Sequence, residues 1–166
     1  MQSWRRSAPG GPHDVHRPSH RSRRRRALRA GGPDAHGNPA ERAVSNGAHT
    51  PCRHCLHDVP AGAEMLIAAH CPFAGRHPYA EIGPIFLCAH ACPPWSAPGL
   101  PPVLGASPDY LMKGYGRDER IVAGTGRVVA AGGIAAGAVA LLARSDIAFV
   151  DIRSARNNCW LARIGR

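Results

Sequence analysis

The chain has 166 residues, the length of about one domain, and carries 21 Lys+Arg against 11 Asp+Glu. Residues 1–42 hold ten Arg and three acids, and residues 43–166 hold ten Arg, one Lys and eight acids, so the +10 charge divides as +7 and +3. The basic character therefore belongs mainly to the N-terminal part, and no broad cationic face is implied for the rest. No apolar core follows Arg5 and Arg6 as an export signal requires, so a cytoplasmic protein is expected. In that reducing setting the six cysteines read as thiols, metal ligands or redox groups, not structural disulfides.

Residues 1–48 are rich in Arg, Pro, Gly, Ser and His, with few apolar residues and no period. Such a stretch buries too little surface to offset its ordering entropy and reads as a disordered tail. Its run Arg23-Arg24-Arg25-Arg26 has no interleaved aromatics to stack on bases. Contact with nucleic acid is therefore expected only as non-specific attraction to phosphates.

Order is expected from about residue 50 onward, as one domain over residues 50–166. Strands are predicted over Glu64–His70 and Ile85–His90, each set off by Pro and Gly. Six prolines and two glycines between Pro93 and Pro108 predict a surface loop. A third strand is predicted over Tyr110–Tyr115, and a fourth over Arg120–Ala123 or on through Val129. Gly124-Thr125-Gly126-Arg127 reads as a tight bend, and Glu81, Asp118 and Glu119 as solvated acids on turns.

Residues 128–143 carry no charge, but sixteen helical residues reach only about 24 Å, short of a bilayer core of roughly 30 Å. No membrane span is expected. The stretch reads instead as a glycine-rich turn and a helix over Ile134–Arg144, with Ile134, Ala138, Leu141 and Leu142 on one face. Strands are predicted over Ile147–Ile152 and Cys159–Ile164. The expected architecture is α+β: a small mixed β-sheet with one or two helices packed on one face, preceded by the disordered tail.

Two constellations carry chemistry. Cys52-x-x-Cys55 places two sulfurs on one side of a knuckle, suited to two corners of a tetrahedral zinc site. Cys88 and Cys92 are the preferred second pair, with His90 in reserve. A redox role for the Cys-x-x-Cys pair needs a helix starting there, and Pro60 and Gly62 leave no room for one. The second constellation is the bend Arg153-Ser154-Ala155-Arg156-Asn157-Asn158-Cys159. Arg153 and Arg156 with Asn157 and Asn158, helped by Arg53, could hold a carboxylate or phosphate. The same residues also suit a plain turn, in which Asn157-Asn158 tolerates positive φ and Arg153 pairs with Asp151 or Glu81. Cys159 is a candidate nucleophile whose partner would have to be a distant histidine such as His54 or His90.

Three stretches occur in an order and spacing that resemble a bacterial family, the domain of unknown function numbered 1203. They are Pro51-Cys52-Arg53-His54-Cys55-Leu56 with Gly62 and Glu64, Pro78 through Leu87, and Val150 through Cys159 ending in Arg163-Ile164. Arg120-Ile121-Val122 and Gly124-Thr125-Gly126 fit as well. The resemblance covers about residues 50–166 and implies no established activity. Three functional readings follow from the residues. The leading one is a small accessory module whose Arg/Asn-rich bend holds an anionic ligand or a protein partner. The others are a zinc-stabilised domain and a cysteine-dependent enzyme.

Overall fold

A computed structural model describes residues 18–166. Residues 1–17 of the expected tail lie outside the described residues, but the rest of that stretch is folded. Helix α1 (Pro18–Arg29) starts on a proline, which suits the first helical position, and has Arg26 and Arg29 in its last turn, where cations oppose the helix dipole. It ends in a left-handed cap. Gly31 has φ 83°, its N–H donates to Leu28 O, and the N–H of Gly32 reaches back to Ala27 O at 2.8 Å. Strand β1 (Glu41–Val44) follows and pairs with β2 (Glu64–His70).

Two antiparallel sheets make up the body, where one mixed sheet was expected. The first has the order β1-β2-β3, with β3 spanning Gly83–Cys88. The second has the order β5-β4-β6-β7, built from β4 (Asp109–Tyr115), β5 (Arg127–Ala130), β6 (Phe149–Ser154) and β7 (Trp160–Gly165). The predicted strand at Arg120–Ala123 is only a single bridge, Tyr115 to Ile121. Gly124 (φ 78°) and the buried Thr125 turn the chain first, and Thr125 Oγ1 donates toward Val122 O and Gly114 O and accepts from Gly114 N.

Because β5 and β6 both run antiparallel to β4, they run the same way, and a crossover is needed between them. Helix α2 (Ile134–Leu142) supplies it. Its buried face is Ile134, Ala138, Leu141 and Leu142, as the periodicity predicts. That face packs on Met112, Val150, Ile152 and Leu161. A separate core under the first sheet joins Leu28 of α1 to Cys52, Val59, Leu66, Ile85 and Leu87.

The proline-rich loop is less superficial than expected. Val103 and Leu104 form a short 3-10 turn buried against the second core. Tyr110 Oη donates to Val103 O at 3.0 Å, and the loop also reaches the cysteine knuckle through Trp95 N to His54 O and Val103 N to Leu56 O. Among the described residues, no helix is long and apolar enough to cross a membrane.

Candidate metal centre

The knuckle is a tight fold of chain after Pro51. Leu56 N donates to Cys52 O at 2.9 Å, Cys52 N donates to His57 O at 2.8 Å, and Leu56 takes a left-handed φ of 55° to close the turn. The knuckle lies along β3: Cys52 bridges Phe86, and Arg53 N donates to Phe86 O at 2.9 Å. This register sets Cys52 and Cys55 beside Cys88, the last residue of β3. The chain then bends, and Cys92 returns to the same place.

The four sulfurs lie within 4.8 Å of one another and can hold a metal ion. Cys52 Sγ is 3.8 Å from Cys92 Sγ, and Cys55 Sγ is 3.9 Å from Cys88 Sγ. A regular tetrahedron with zinc–sulfur bonds of about 2.3 Å has edges of about 3.8 Å, so the spacing suits such an ion. Cys52 is fully buried, and its sulfur accepts the Cys88 N–H at 3.3 Å.

Charge in so small a space is unevenly tolerated. Hydrogen bonds from the Cys55 and Cys92 thiols, with the Cys55 and Cys88 N–H groups, hold Cys52 far below the ordinary thiol range. Burial, with the negative charge at Cys52, pushes Cys88 up to about 12. Hydrogen bonds to Cys52 and Cys55 raise Cys92 as well. Four sulfurs this close can all be thiolates only around a cation.

Side chains outside the cluster bear on it. Arg29, from the end of α1, sends Nη2 to Cys92 Sγ at 3.2 Å and Nε to Cys88 O at 3.0 Å. His54 Nδ1 shares a hydrogen bond with Cys92 Sγ at 3.3 Å. The sequence reading missed Arg29, which lies in the stretch expected to be unstructured. His90, held in reserve as a ligand, is not part of the cluster.

The residues of the closing bend are placed as follows. Arg153 is buried, with Nη2 on the Glu81 carboxylate and Nε donating to Asn158 O at 3.0 Å. Arg156 is exposed and pairs with Asp109 at 2.7 Å. Asn158 adopts φ 55°, the left-handed turn conformation that its side chain tolerates. Arg53 is buried with Nε on Trp160 O at 2.7 Å and Nη1 on Pro51 O. Burial lowers its pKa to about 10, against the opposing pull of Cys159, Cys52 and Asp58. Arg153, Asn157, Asn158 and Cys159 line a cleft of about 310 Å³ with Glu81 and His70. His54, one of the partners considered for Cys159, is engaged at Cys92 instead.

No curated protein and no solved structure matches the chain at a significant level. The cysteine knuckle, β2 to β7 and α2 all fall within residues 49–166, the span that matches the family model described as "Protein of unknown function (DUF1203)". With that much of its length matched, the chain belongs to the DUF1203 family.

Proposed function

We propose that Cys52, Cys55, Cys88 and Cys92 form a structural zinc centre, and that the protein is a small binding or accessory module held in shape by it. The supporting observation is the convergence of the four sulfurs within 4.8 Å, with two separations, 3.8 and 3.9 Å, at the edge length of a tetrahedral site. Four protein ligands close the coordination sphere and leave no position for a reacting water, which favours a structural over a catalytic metal. Four thiolates around a dication carry two negative charges. Arg29 touches the rim of the cluster, and the buried Arg53 is attracted by the charge at Cys52, so two guanidinium groups offset them. Thiolate ligation also suits the reducing cytoplasm.

The centre would act as a clasp. The knuckle contacts β3 through Phe86 and β7 through Arg53 and Trp160, and Leu56 belongs to the core of the second sheet. Fixing the knuckle therefore fixes the junction between the sheets. The test is elemental analysis of full-length protein purified without a metal-affinity tag. About one zinc per chain is expected, as is a tetrahedral tetrathiolate absorption spectrum after cobalt substitution. Less than about a tenth of an equivalent, with no gain in melting temperature on adding zinc to reduced protein, would remove the reading.

A further inference from the structure

Seven arginine side chains among the described residues face a carboxylate or a sulfur: Arg42, Arg120, Arg144, Arg153, Arg156 and Arg163 pair with acids, and Arg29 meets Cys92. Arg53 and Arg166 donate to backbone carbonyls. The bend expected to hold an anion thus has both of its guanidinium groups already paired. Arg24 of α1 and Arg76 of the loop after β2 differ: neither has an acceptor among the described residues, and both line one cleft of about 430 Å³.

Among the described residues, no carboxylate lines that cleft. Phe73 and Ile82 give it an apolar part, and His77 lies in its wall. The loop carrying Arg76 is held from outside the cleft. Glu119 accepts the N–H groups of Ala74 and Gly75 at 3.0 and 3.2 Å, and Arg163 donates to Pro72 O at 3.1 Å. His77 accepts the Tyr79 N–H at Nδ1 and faces Glu119 with Nε2 at 3.4 Å, so that carboxylate is taken up by the loop itself.

We propose that this cleft binds a small phosphate monoester, with Arg24 and Arg76 clamping the phosphate and Phe73 and Ile82 receiving its organic part. A monoester carries −1.5 to −2 charges near neutral pH, which matches two guanidinium groups, and each guanidinium can engage its oxygens bidentately. A pinned loop places Arg76 before the ligand arrives and so reduces the ordering cost of binding. None of the four clustered cysteines lines the cleft.

The test is calorimetric titration of the zinc-loaded full-length chain, at low ionic strength, with inorganic phosphate, phenyl phosphate and benzoate. One saturable site is expected, with phenyl phosphate tightest and benzoate weakest. Arg24→Gln and Arg76→Gln should each weaken phenyl phosphate by about tenfold, the scale of one lost charged hydrogen bond. Arg117→Gln, which removes a cation outside the lining, should leave it unchanged. No saturable heat with either phosphate, or equal weakening by Arg117→Gln, would overturn the assignment. Benzoate binding as tightly as phenyl phosphate would overturn the phosphate preference. Zinc content, measured on each variant, should not change, so failure here is distinct from failure of the metal reading.

Discussion

Replacing Arg163 with methionine should be among the most costly single changes outside the cysteines. Asp151 on β6 has no exposed surface, and Arg163 on β7 holds both of its oxygens at 2.6 and 2.9 Å. The same guanidinium donates to Pro72 O and lies 3.6 Å from the centre of the Phe149 ring. Methionine keeps most of the apolar volume but leaves a buried carboxylate without its cation. Breaking a buried pair from one side costs about 3–5 kcal/mol, and the lost cation–π contact adds about 1 kcal/mol. At about 3 °C per kcal/mol for a chain of this size, the melting temperature should fall by roughly 12–18 °C. Urea unfolding of zinc-loaded protein at neutral pH measures the loss. The double variant Asp151→Asn/Arg163→Met, which removes the stranded charge, should recover at least half of it. A single-variant loss below about 1 kcal/mol, or a double variant no better than the single, would refute the reasoning.

Three further outcomes are expected. Gly114→Ala would place a Cβ 2.9 Å from Ile147 Cδ1 and 3.2 Å from Thr125, whose hydroxyl is tied to the surrounding backbone, so thermal unfolding should report a loss of about 1–3 kcal/mol. Burial alone would raise the Glu119 pKa, but the amides of Ala74 and Gly75, with His77, hold it below its ordinary 4.5. Its contribution is therefore complete above that value and is lost as pH falls through the lower folded one, so the stability gap between wild type and Glu119→Gln should be flat near neutrality and close only in acid. Cys71→Ser and Cys159→Ser should retain full zinc by elemental analysis, whereas Cys92→Ser should lose most of it, because neither Cys71 nor Cys159 belongs to the cluster.

What the sequence revealed follows how local each signal is. Strands β2 and β4 and helix α2 show their own periodicity, because each buries a face against one neighbouring layer. The division into two sheets is not local. It depends on Val103 and Leu104 turning inward from a proline-rich stretch, and on β1 finding β2 some twenty residues away. Helix α1 was hidden by composition, since arginine-rich, apolar-poor sequence reads as unstructured. Its stop signal, Leu28-Arg29-Ala30-Gly31-Gly32, was nevertheless present, and the buried Leu28 was the cue that the segment packs. Among the site residues, the cysteines were legible because knuckle spacing is a local constraint. Arg29 was not, being 59 positions from Cys88. Nor could spacing separate the arginines that meet acids from Arg24 and Arg76, which do not, because ion pairing is decided by the fold.

The pairing of β1 with β2 has a practical corollary for anyone trimming the chain to its family boundary at residue 49. That cut deletes β1, α1 and Arg29 together. Strand β2, interior in the intact molecule, would then present an open ladder of unsatisfied amides and carbonyls along Glu64–Ile67. Unprotected edges of this kind recruit strands from other molecules. A fragment cut there should self-associate, while one that retains the arginine-rich helix should remain dispersed.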